Sequence, residues 1–196
     1  MAIDSGLLVD CGDLNAVGGI RQILLTDLSN VATVAPTVLD ATHSITSFTT
    51  TDDWARFEFK NETAALAITG TKEGGSTAYE CALSFYIPDI DGARFHELSN
   101  LESACPVALV EFNSGKMMFV GWSYKYENKA AGSTPWVRNQ TYANLTSIEG
   151  GSGSAYADDN GVTVTLTARQ FELPIEYIPA GAGITVQAGD VTAQTS

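Results

Sequence analysis

Apolar and polar residues alternate with a period of two along much of this chain. Tyr79, Cys81, Leu83, Phe85 and Ile87 fall on one side of a run whose other side carries Glu80, Ala82, Ser84 and Tyr86. Side chains of a strand point to opposite faces in turn, so this pattern predicts a long half-buried strand, stopped by Pro88. Val162, Val164, Leu166 and Ala168 alternate in the same way with Thr163, Thr165, Thr167 and Arg169. In Trp54–Asn61, Phe57 and Phe59 oppose Arg56, Glu58 and Lys60. Further strands are predicted over Ile20–Thr26, Ile45–Thr51, Ala64–Thr71 and Tyr142–Glu149, with a short β-like piece at Ile184–Gln187. Val107–Phe112 and Met117–Trp122 flank Asn113-Ser114-Gly115, the signature of a hairpin with a short loop.

Only Asp91–Ser103 has helical spacing, with Phe95, Leu98 and Leu101 or Glu102 in phase, Asp89 or Asp91 as N-cap and Pro106 as terminator. Val31–Ser44 has no clean period, and Pro36 bars a central strand, so it reads as a connection. Gly70–Gly75 reads as a turn, Gly150–Ser154 as a flexible linker, and Asp158-Asp159-Asn160-Gly161 as a hairpin turn. Lys125–Gln140 is polar and long for a connector. Eight or nine strands, one helix and short connections predict a mainly β fold, an antiparallel β-sandwich or barrel with one packed α-helix and extended loops or arms. Residues 1–178 form one β domain with an N-terminal arm and the loop 125–140. Residues 179–196 form a Gly/Ala-rich tail, expected to order only against a neighbour or to stay loose.

Composition sharpens this picture. Apolar residues make up 44% of the 196 and charged ones 17%, against about 25% charged in ordinary globular proteins. A surface covered by a repeated self-contact gives such numbers, and so does a surface of uncharged Ser/Thr-rich faces. The net charge is −13, from 23 acids and 10 bases. Residues 1–53 carry −6, residues 54–138 carry −2 and residues 139–196 carry −5, and no two basic residues are adjacent. Gripping nucleic acid needs clustered Lys and Arg against the phosphates, so tight nucleic-acid binding is rejected. Solubility alone accounts for the acidity; a surface that repels passing DNA is the sharper reading. No run reaches the roughly 18 apolar residues of a membrane span. The start, with Asp4 before Leu7-Leu8-Val9 and no basic flank, argues against a secretory signal.

Residue patterns that carry chemistry are few. Cys11, Cys81 and Cys105 fit neither a disulfide scaffold nor a zinc site. His43 and His96 have no ligand-spaced companions. There is no phosphate loop, and Gly150-Gly151-Ser152-Gly153-Ser154 lacks the last glycine of a nucleophile elbow. Asp89-Ile90-Asp91-Gly92 resembles part of a calcium loop, but helix capping explains it, as turn chemistry explains Asp158-Asp159. No catalytic residue, cofactor or metal is expected, and the chain is read as a structural protein rather than an enzyme.

The order of elements from Tyr79 onward resembles the tail tube, or major tail, proteins of bacteriophages, especially those of phages and prophages of Bacteroidetes. The likeness lies in the strand Tyr79–Ile87, the helix Asp91–Ser103 and the hairpin Val107–Lys116 running into Met118-Phe119-Val120-Gly121-Trp122. It continues through Ala155–Gly161, the Thr-alternating strand and the exit Phe171-Glu172-Leu173-Pro174, and Gly18–Ile23 resembles the opening strand. Lys125–Gln140 and Ala180–Ser196 depart from the pattern. The resemblance implies a virion protein, made in the host bacterial cytoplasm, whose hexameric rings stack into a tube. It also implies other tail proteins at the tube ends and DNA passing without sticking. Trp136, Lys125, Lys129 and Arg138 are then candidate inter-subunit contacts, and Asp158 and Asp159 candidate lumen-facing acids. The alternatives are a tail terminator, neck ring or head decoration protein, a carbohydrate-binding module displaying Trp54, Trp122 or Trp136 in a row, and a hydrolase with a dispersed site.

Overall fold

The computed structural model describes residues 18–35, 43–73, 76–89, 91–123, 141–153 and 159–179. Their secondary structure is mainly β. In chain order the strands are β1 (Ile20–Asp27), β2 (Val31–Ala35), β3 (Ser44–Ile45), β4 (Ser47–Thr50), β5 (Ala55–Phe57), β6 (Ala65–Glu73) and β7 (Ser76–Pro88). After helix α1 (Gly92–Ser103) follow β8 (Pro106–Phe112), β9 (Met117–Val120), β10 (Asn144–Gly151), β11 (Gly161–Gln170) and β12 (Ile175–Tyr177). They form a six-stranded sheet ordered β3-β12-β9-β8-β1-β5, a four-stranded sheet ordered β10-β11-β7-β6, and a β2-β4 ribbon. Every pairing is antiparallel except β12 with β3. Neither large sheet closes into a barrel.

The six-stranded sheet is covered on both faces, which explains its consecutive apolar residues. Ile23, Leu25, Ala108, Val110 and Val120 face a core shared with Cys81, Leu83, Phe85, Val164, Leu166 and Ala168 of the four-stranded sheet and with Leu98 and Leu101 of α1. Leu24, Val107, Leu109 and Phe119 face the other way, into a second core with Val31, Ile45, Trp54, Trp122, Ile175 and Tyr177. Phe119 is the centre of that second core. Its ring centroid lies 5.1 Å from Phe48, 6.1 Å from Trp54, 5.8 Å from Trp122 and 6.2 Å from Tyr177. These are the edge-on and tilted arrangements that aromatic quadrupoles favour.

Several elements differ from the sequence reading. Val31–Ala35 is a strand, not a connection, because pairing with Ser47–Thr50 closes a ribbon over the second core. Ile45–Thr51 splits between two sheets, Ser44–Ile45 joining β12 and Ser47–Thr50 joining β2. Only Ala55–Phe57 of the segment Trp54–Asn61 forms a strand, although Phe57 and Phe59 both pack on the shared core as the alternation requires. Pro106 opens β8 instead of closing the helix segment, and β12 was not foreseen. Strand β6 runs on through Gly70–Glu73, where a turn is predicted. Asp91 caps α1 through its carboxylate, which accepts from the Arg94 N–H at 2.8 Å, but Phe95, in phase with Leu98, stays 47% exposed.

Gly150 and Gly151 belong to β10 rather than to a linker, paired with Val162 and Gly161. The strands approach too closely there for side chains: a Cβ on Gly150 would lie 2.1 Å from the Gly161 carbonyl oxygen. Gly161 itself pairs with both Gly151 and Pro88, so Asn160-Gly161 is not the centre of a two-residue turn. At Gly121 (φ +84°) a Cβ would lie 2.7 Å from the Ala143 nitrogen, where the chain returns after residues 124–140.

Replacing Phe119 with Ala removes the hub of the second core and is expected to cost about 3–5 kcal/mol. Urea unfolding followed by tryptophan fluorescence measures it, because Trp54 and Trp122 both lie in that core.

Candidate assembly surface

The four-stranded sheet has one face in the shared core and one face in solvent. Its register aligns side chains in rows. On the core side run Leu66–Leu83–Leu166–Leu145 and Phe85–Val164–Ile148. On the solvent side run Ala65–Ser84–Thr165–Ser147, Ala67–Ala82–Thr167–Asn144 and Thr69–Glu80–Arg169. That outer face is built of hydroxyls and methyls. Arg169 and Glu80 neutralise one another at 3.3 Å. Threonine at alternate positions suits a strand whose outer side stays hydrated.

The borders of this sheet are the long strands β6 and β10, nine and eight residues, and no described strand pairs with the outer side of either. Border strands with unpaired N–H and C=O groups invite pairing with another chain, and proteins blunt them with charge, proline or brevity. Here β10 carries only Glu149 and β6 only Lys72 and Glu73, all at one end of their strands. Each border also leaves an isoleucine uncovered on the core side: Ile68, opposite Cys81, is 47% exposed, and Ile148, opposite Val164, is 38% exposed. Both keep the strand alternation, so the sequence assigns them to a core. Only the sheet order reveals that nothing described lies beyond them.

Of the candidates drawn from sequence, Asp159 is exposed at one end of the sheet, where its two carboxylate oxygens accept from Lys60 Nζ at 3.0 and 3.1 Å. Lys60 also lies 5.6 Å from the ring centroid of Tyr86. Asp158, Lys125, Lys129, Trp136 and Arg138 lie outside the described residues, as do the N-terminal arm, the loop 125–140 and the tail from Ala180. Trp54 and Trp122 are buried, so neither contributes to an exposed aromatic row. Among the described residues no group of three His, Cys, Asp or Glu side chains could hold a metal ion, and no helix is long and apolar enough to cross a membrane.

Cys81, on β7 opposite Ile68 of β6, lies in the shared core. Burial, with a smaller contribution from the neighbouring Glu80 charge, pushes its thiol up to about 11 from 9.0. Since the thiolate is the reactive form, this residue is inert in the folded chain. In a C11S/C105S variant, Ellman's reagent at pH 8 should leave the folded protein unmodified and titrate Cys81 only after denaturant is added. No family model matches the chain, and no curated protein or solved structure shows detectable similarity to it.

Proposed function

We propose that the protein is a structural subunit that assembles through the borders of its four-stranded sheet, forming stacked rings of the kind that make a phage tail tube. The observation that carries this reading is the pair of long, weakly charged borders, each with an uncovered isoleucine on the same side of the sheet.

Strand direction fits the idea. The sheet has four strands, all antiparallel, so β6 and β10 run in opposite directions. When one copy follows another head to tail, β6 of the first lies antiparallel to β10 of the next, and every border is used. Such a heterologous contact closes into a ring where its rotation allows. On the core side of the seam, Leu66 and Ile68 then meet Leu145 and Ile148. On the other side, Ala65, Ala67 and Thr69 continue into Asn144, Ser147 and Glu149. A two-fold contact of β6 with itself would leave β10 open.

In such a ring the Thr/Ser/Ala face is the surface that faces the bore. On it Arg169 is paired with Glu80, Glu149 adds negative charge, and the protein as a whole is acidic. A bore of this kind offers DNA phosphates no cationic foothold, and repulsion reaches only about 8 Å at physiological salt. The two sheets, sharing one core, then act as the sandwich of a tube wall, with DNA passing through during ejection. A terminator or neck ring would use the same borders and form rings that do not stack.

Sedimentation velocity and negative-stain microscopy across a concentration series test the reading. The unaltered chain should form rings or tubes. Ile68→Lys or Ile148→Lys should leave it monomeric, with thermal unfolding nearly unchanged, because substitutions at such exposed sites usually shift stability by about 0.5 kcal/mol or less. A chain that stays monomeric at every concentration would sink the proposal.

A further inference from the structure

A groove of about 250 Å³ lies where the ends of β1 and β5 meet α1. Leu25, Phe57, Leu101 and Pro106 supply its apolar surface. Three acids complete it: Asp52 and Asp53, on the approach to β5, and Glu97 of α1. All three are exposed, and their carboxylates take part in no hydrogen bond or ion pair among the described residues. Asp27, also at the groove, is engaged elsewhere: its carboxylate accepts from Ser29 N–H at 2.8 Å and from Cys105 N–H at 3.2 Å.

No cation among the described residues forms an ion pair with these acids. Arg21, Lys60, Arg94 and Arg169 form ion pairs with Glu111, Asp159, Asp89 and Asp91, and Glu80. Arg56, next to the groove residue Ala55, has a partner as well. Three of the chain's ten bases, Lys125, Lys129 and Arg138, instead fall in the single stretch 124–140, together with the aromatic residues Tyr124, Tyr126 and Trp136. That stretch is tethered at both ends, to the buried residues Ser123 and Thr141. Seventeen residues held this way reach roughly 25–30 Å from their anchors at full extension, far enough to meet another copy.

We propose that the groove receives residues 124–140 of a neighbouring copy, with Lys125, Lys129 and Arg138 facing Asp52, Asp53 and Glu97 and Trp136 resting on the apolar surface at Phe57 and Leu101. The inference rests on the self-assembly reading and adds to the sheet borders a second, electrostatic contact between subunits. Its contribution falls with salt, as contacts between exposed charges do.

Two measurements test it. A fluorescein-labelled peptide of residues 124–140 is titrated into the full-length chain at low salt. Binding should weaken at least tenfold in D52N/D53N/E97Q and be unaltered in E62Q/E176Q, acids that do not line the groove. Equal binding to all three proteins overturns the proposal. In the second measurement, D52K/D53K/E97K and K125E/K129E/R138E are studied by sedimentation separately and as an equimolar mixture. Each alone should associate at least tenfold more weakly than the unaltered chain, and mixing should restore association, since each supplies the charge the other lacks. Rescue only when all six changes share one chain places the segment in its own groove and overturns the neighbour assignment. Peptide binding that depends on the three acids, in a chain that forms no rings, would retire the ring reading and retain the groove as the receptor for this segment.

Discussion

Burial of the six-stranded sheet on both faces is the constraint on which the rest of the molecule depends. Its strands present Ile23, Leu25 and Val110 to one core and Leu24, Leu109 and Phe119 to the other. Both faces of this sheet are therefore taken up within the chain. The four-stranded sheet, in contrast, is covered on one face only. Among the described residues no strand pairs with the outer side of either of its two borders, and the proposed assembly would complete the sheet there.

That division gives physical content to the assembly reading. A border strand of eight or nine residues exposes a row of backbone donors and acceptors, and natural monomers seldom leave such a row unguarded. Here the guards are few and lie toward one end of each strand, while Ile68 and Ile148, on the core side, stay partly exposed among the described residues. The outer face offers neither a cationic cluster nor a large apolar patch. It suits a surface that borders water, or a passing polyanion, more than one that holds a ligand. The groove beside α1 is different in kind, apolar at its base and acidic around it, and matches the one basic stretch of the chain.

Much of the β architecture was legible in the sequence. Tyr79–Ile87 and Val162–Arg169 lie within strands, neighbours in one sheet, with their apolar residues inward, because strict alternation leaves only one face to bury. The hairpin around Asn113-Ser114-Gly115 was equally plain, and the helix cap was narrowed to Asp89 or Asp91, of which the structure uses Asp91, since each depends on residues close in the chain. The short strands were not. Val31–Ala35 and Ile175–Tyr177 carry little periodicity of their own and become strands because a partner distant in sequence meets them. Glycine misled at Gly150-Gly151, where it marks close contact between backbones rather than flexibility.

From the sequence alone came the mainly β class, the single helix with its cap, the acidic balance and the lack of any basic cluster fit to hold nucleic acid. All of these follow from local periodicity, capping chemistry and charge, which need no knowledge of what lies beside what. Only the tertiary structure decided that the six-stranded sheet is covered twice, that β6 and β10 are borders, and that Asp52, Asp53 and Glu97 share one groove. Sheet order is set by which apolar faces can be buried together, and that is a property of the whole chain. An isoleucine in register looks the same in sequence whether a neighbouring strand covers it or not.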